Sequence, residues 1–173
     1  MRALVVMAAV AGVLTPLAAG SDPVVSLPGK AWSVLVDWRG LTESKDGGWS
    51  DGPSQKWFFK HTNGRYFLSV VIRPAQPGVT AEMYRDDRWA RLQSKAPAEQ
   101  EERLWTEGER AFFEYFLEMP FEGRPLHQKN THTFLLHDGS RIELHVSAIH
   151  FKKKDQAWLD EIQDSLQVIE SGG

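Results

Sequence analysis

The chain has no cysteine among its 173 residues. That absence excludes disulfide bonds, thiol nucleophiles, iron–sulfur clusters, cysteine zinc sites and lipid attachment through a cysteine after a leader, so packing alone must hold any fold. A large excess of either charge is also lacking. Lys and Arg number 20 against 23 Asp and Glu, a net charge of −3, and this gives no reason to expect a nucleic acid partner. No G-x-S-x-G elbow, phosphate-binding glycine loop, H-E-x-x-H or dinucleotide fingerprint occurs. The longest apolar run, Ala3 to Leu14, breaks at Thr15-Pro16 and falls short of the roughly 20 residues needed to span a bilayer.

What is present begins with "MRALVVMAAVAGVLTPLAAGSD": one positive charge at Arg2, the apolar run, then small residues and a polar start. This is the layout of a secretory signal peptide, with cleavage expected after Gly20. Residues 1–20 are therefore read as a leader and 21–173 as one domain, exported to a periplasm or the medium, with no stable membrane span once the leader is removed. Losing Arg2 moves the balance one charge further to the acidic side. The remaining length suffices to bury a core without staples.

In "AWSVLVDW", Trp32, Val34, Val36 and Trp38 share a face at the period of a half-buried strand. The glycine-rich "RGLTESKDGGWSDGPS" reads as a long loop. "QKWFFKHTNGRYFLSVVIRP" places two apolar runs around Asn63-Gly64, a hairpin signal that sets Phe59 against Leu68 and Trp57 against Val70. A helix is expected from Thr80, its N-cap, with Glu82 in the first turn and Pro97 as its latest stop. After the acidic "AEQEERLW", "RAFFEYFLEMPF" carries aromatics on both faces and reads as a central strand. A second hairpin turns at Asp138-Gly139. A closing helix is expected from about Asp155 to Ile169, carrying Trp158, Ile162, Leu166 and Ile169 on one face, with Gly172 just beyond it.

This order predicts an α+β fold: an antiparallel sheet of about five to six strands with helices packed on it. Together with "TFLLHDGSRIELHVSA" running into "WLDEIQDSLQVI", it resembles the Mog1/PsbP-like superfamily of small α-β-α sandwich domains. The resemblance implies such a sandwich, and a binding rather than a catalytic role. It brings no catalytic or metal residue that maps onto this chain.

Five of the six histidines fall between residues 126 and 151. A two-residue turn at Asp138-Gly139 pairs Leu135 with Ile142, Thr133 with Leu144, Thr131 with Val146 and Lys129 with Ala148 on the core side. The other side then carries Phe134 with Glu143, His132 with His145 and Asn130 with Ser147, and His127 lies opposite His150 near the open end. His132, His145 and Glu143 would offer two nitrogens and a carboxylate to zinc or another divalent metal, and every member of the set depends on that register. Even without metal, facing imidazoles resist joint protonation, so acid is expected to weaken the hairpin.

Trp49, with Asp46 and Asp51, is the candidate ligand or partner site, since long loops in compact domains are disproportionately functional. The two aspartates do not match a calcium loop. The lysines of "KKKD" precede a helix start, where positive charge is mildly unfavourable, and admit an anionic partner or a plain solvated run. No catalytic residue is assigned. The leading expectation is an exported, non-enzymatic binding or accessory domain acting on a protein or small ligand, without cofactor. The alternative is a metal-binding protein or metal-dependent hydrolase using the hairpin histidines.

Overall fold

The structure, a computed structural model, describes residues 24–38, 40–95, 100–121 and 124–170. The leader, its cleavage point, Pro97 and Gly172 lie outside the described residues.

Chain order begins with β1 (Val24–Val25), β2 (Trp32–Leu35), β3 (Leu41–Glu43), β4 (Trp49–Asp51), β5 (Ser54–His61) and β6 (Tyr66–Pro74). Helix α1 (Ala81–Lys95) follows, then β7 (Gln100–Glu107), β8 (Arg110–Phe121), β9 (Arg124–His137) and β10 (Ser140–Ile149). Helix α2 (Gln156–Ser165) and β11 (Gln167–Glu170) close the described chain. Eight strands form one antiparallel sheet in the order β3-β5-β6-β10-β9-β8-β7, with β4 also on β5, and β1-β2-β11 form a second sheet of three.

The expected α-β-α sandwich with five to six strands is overturned. Among the described residues the protein is mostly strand, with two α-helices. Three segments account for the difference. The expected loop after residue 38 supplies β3, β4 and a short 3-10 turn, Lys45–Gly47. The acidic segment before the aromatic strand supplies β7, paired to β8. The expected last turn of the closing helix leaves α2 at Leu166 and pairs as β11 with β2, Val168 opposite Val34. Val168 and Ile169 are β-branched and fit a pleated surface better than a helix end.

Both predicted hairpins form with the predicted registers: Phe59 opposite Leu68, Trp57 opposite Val70, and His132 opposite His145. Asp138 and Gly139 have φ of 42° and 65°, positive at both central positions as a tight primed turn requires. The aspartate side chain accepts bonds from Lys30 Nζ at 2.8 Å and Trp32 Nε1 at 3.1 Å, stapling the turn to the second sheet.

Alternation along the strands gives the large sheet two apolar faces. One carries Leu68, Val70, Ile72, Ile142, Leu144 and Val146 and is covered by Trp32 and Val34 of β2, by Val36 just beyond it, and by α2 through Leu159 and Ile162. The other carries Ala111, Phe113, Tyr115 and Phe134 and is covered by α1 through Ala81, Tyr84 and Trp89. Thr80 Oγ1 accepts from the Met83 amide at 3.3 Å, the expected N-cap. Helix α1 lies over β8 and β9, so the same face remains uncovered above β10, β6, β5 and β4. That uncovered half is the cleft described next.

Candidate functional site

A row of side chains crosses the α1 face: Phe58 on β5, Ser69 on β6, His145 on β10, His132 on β9 and Phe113 on β8. Its central rings stack. Phe113 and His132 have centroids 4.3 Å apart, and His132 and His145 are 4.2 Å apart with planes 10° from parallel. His132 is 1% exposed, and its Nδ1 lies 3.0 Å from Glu143 Oε1, which also accepts from Arg88 Nε of α1 at 3.2 Å. His145 Nε2 lies 3.1 Å from Asn130 Oδ1.

The electrostatics follow from that enclosure. Burial lowers the His132 imidazole from its ordinary value, more than the Glu143 carboxylate raises it. Burial and then the facing His132 ring hold His145 well below the ordinary value. For Glu143, burial alone would push the carboxyl up, but the His132 hydrogen bond and the charge of Arg88 outweigh it and hold it well below the usual carboxylate range. At neutral pH the site is therefore a carboxylate accepting hydrogen bonds from the His132 Nδ1–H and from Arg88. A neutral His132 protonated on Nδ1 has a bare Nε2, and this atom is buried with no hydrogen-bond partner.

His132, His145 and Glu143 are thus brought together as the register predicts, although among the described residues no group of three or more His, Cys, Asp or Glu side chains is arranged to hold a metal ion. Parallel rings direct their in-plane lone pairs along parallel planes, and the shared carboxylate already faces a guanidinium. The His132–Glu143 couple has the form of an acid-oriented base, yet its free nitrogen is sealed away from any substrate. His127 does not face His150 in the ladder, which ends at Ile149 opposite Gln128. It stacks on Phe116 at 4.9 Å and lies 3.0 Å from Glu118, while His150 turns out of the strand with φ 53°.

The uncovered half of the face encloses a cleft of about 240 Å³. Trp49 and Lys56 stand on one side, Tyr84, Arg88 and Arg91 of α1 on the other, with Ser69, Val71 and His145 between. Trp49, 37% exposed, is therefore at the cleft. Asp46 and Asp51 are not. Asp46 is an exposed side chain 3.9 Å from Lys60, and Asp51 is exposed opposite Ser54 at the β4–β5 turn.

The residues that dominate the cleft are ones the sequence reading passed over. Arg73 on β6 pairs directly with Arg141 on β10. The Arg73 guanidinium lies over the Trp49 ring at 5.0 Å, and that of Arg141 over the Tyr84 ring at 4.6 Å. Burial and then the facing Arg73 charge lower Arg141 from its ordinary value. The signal was available in part: Arg73 ends the first hairpin and Arg141 begins the return strand of the second. Only the long-range pairing of β6 with β10 makes them neighbours, and no turn encodes that pairing.

No family model matches the chain, and no curated protein matches it. Among solved structures it is similar to LpqN of Mycobacterium tuberculosis, described as involved in cell envelope biogenesis. The identity is 10% and the TM-score 0.47, over 85% of this chain and 90% of that one. A likeness of this grade says nothing about activity or partner.

Proposed function

We propose that this protein is an exported, non-enzymatic binding or accessory domain whose ligand or partner sits in the cleft that α1 leaves open, against Trp49. The observation that carries the reading is the cleft itself: a concave, half-covered sheet face with an exposed tryptophan at its rim and fixed polar groups converging on it. Kinship with the Mog1/PsbP-like superfamily belongs to the same proposal and rests on the hairpin and closing segment. Export rests on the leader pattern of residues 1–20. Among the described residues no helix is long and apolar enough to cross a membrane.

The test is spectroscopic. Candidate ligands are titrated into the protein while the emission of Trp49 is isolated by difference against Trp49→Phe. Saturable change that vanishes in Trp49→Phe supports the cleft as the site, and a ligand that binds tightly with no change at Trp49 refutes it. Elemental analysis of the purified protein addresses the alternative metal-dependent reading of His132, Glu143 and His145. Stoichiometric metal, lost together with thermal stability in His145→Gln, would establish that alternative instead.

A further inference from the structure

Resting on the cleft-binding reading above, we propose that the cleft takes a dianionic oxyanion of the phosphate monoester class, held between the guanidinium groups of Arg73 and Arg141. Like charges directly opposed on neighbouring strands are destabilising, and the register of β6 with β10 opposes these two. A fold that keeps such a pair leaves a place for a counter-charge. No carboxylate pairs with them: Glu143, whose charge favours that of Arg141 from a distance, receives Arg88 and His132, and Asp87 receives Arg91 at 2.9 Å. Neither Arg73 nor Arg141 has an ion pair with a carboxylate among the described residues.

A second observation is independent of charge. Arg73 and Arg141 both line the cleft, although Arg73 Nε is itself buried without a hydrogen-bond partner and, like His132 Nε2, lies out of a ligand's reach. The two guanidinium groups lie over the Trp49 and Tyr84 rings, 5.0 and 4.6 Å from their centroids, contacts that restrict both before any ligand arrives. Planar forks match the oxygens of phosphate in paired hydrogen bonds, and preorganisation lowers the entropy that binding costs. Lys56, opposite Trp49 on β5, adds a third cation, and the buried Ser69 supplies a hydroxyl. This positive concentration sits in a chain whose net charge is −3, so it is local and not a by-product of a basic composition. A volume of about 240 Å³ leaves room beyond the anion for a small organic body against the exposed Trp49 ring.

The test uses the whole exported chain, with calorimetry and thermal unfolding in inorganic phosphate and then glycerol 3-phosphate, against chloride at matched ionic strength. Saturable binding and a raised unfolding midpoint are expected. Arg73→Gln and Arg141→Gln should each weaken phosphate about tenfold or more, the loss expected of a charged hydrogen-bond donor. Without phosphate, Arg141→Gln should unfold at the same temperature as the parent or higher, because it relieves the opposed charges. A guanidinium with only a structural role would lower that midpoint and leave affinity unchanged. Should a glutamine variant fail to fold, Arg73→Lys, which keeps the charge and loses the fork, is expected to bind more weakly than the parent.

Sedimentation with phosphatidic acid in phosphatidylcholine vesicles separates a lipid headgroup from a soluble ester, and binding to either supports the proposal. Absence of saturable binding to phosphate, to its ester and to the vesicles overturns it, as does unchanged affinity in both glutamine variants. An acidic peptide or uncharged ligand that perturbs Trp49 while all phosphate probes fail overturns this inference alone and leaves the cleft reading standing. If nothing tested perturbs Trp49, both fall.

Discussion

His132 and His145 spend the fold's stability on staying neutral. Because burial lowers both imidazoles, the folded chain declines protons that an unfolded chain, with ordinary histidines near 6.5, takes up. The unfolded state therefore binds more protons, and stability is lost as pH falls below that value toward the folded ones. Glu143 acts with the same sign lower down: its folded carboxyl lies below the ordinary 4.5, so its contribution is present above that pH and lost beneath it. Urea midpoints measured at about pH 7.5 and about pH 5.5 should fall with acid, and less steeply in His145→Gln; equal slopes would count against the buried pair. Asp155 is a second residue-scale case. Nearly buried, its carboxylate accepts from Arg65 at 2.8 Å, Tyr66 Oη at 2.9 Å and the Lys152 amide at 2.9 Å. Arg65 is partly exposed, so solvent screens its share, and Asp155→Ala should cost about 1–3 kcal/mol in denaturant unfolding, with Asp155→Asn losing less. In the sequence Asp155 looks like the polar end of a lysine run, because Arg65 and Tyr66 come from the other hairpin.

Elements were legible where the chain's own chemistry closes them. Asn63-Gly64 and Asp138-Gly139 set both hairpins, and counting outward from the second turn paired His132 with His145 correctly. Gly139, with φ 65°, is the position where a side chain is least tolerated, so Gly139→Val should cost about 1–2 kcal/mol by chemical denaturation. Elements were misread where a distant partner decides them. "QVIE" continues the helical spacing of α2, but β2 lies beside it and takes its backbone hydrogen bonds. Val168 packs against the core, so Val168→Asp should lower the thermal midpoint more than Ile169→Asp, whose side chain is 36% exposed. The reverse order would mean that Val168 does not pack against the core. β3 and β4 likewise exist because β5 offers an edge, and their glycine-rich sequence alone reads as loop.

For the whole molecule, the arrangement of layers follows from which surfaces were left to cover. Trp32 and Val34 of β2 and one face of α2 close one side of the large sheet, while α1 closes only half of the other. The uncovered half is where unlike elements meet: the β4 edge, the β6–β10 seam and the polar side of α1. Export belongs to this scale too. Intact mass of protein recovered from outside the cytoplasm should correspond to a chain beginning at Ser21, and recovery of the uncleaved mass there would refute the leader reading.

Amino-acid order alone determined the absence of thiol chemistry, the places of the two hairpin turns, the alternation that gives each strand an inner face, and the pairing of the hairpin imidazoles. Each of these depends on residues within one turn or one strand pair of each other. Tertiary structure alone decided that the closing segment becomes a strand, that His132 is sealed between Phe113 and a His145 that lines the cleft, and that Arg73 meets Arg141. Those outcomes depend on the docking of one hairpin against the other and of α1 against the sheet. Such contacts join residues tens of positions apart, and their free energy comes from shared burial, which no local pattern records.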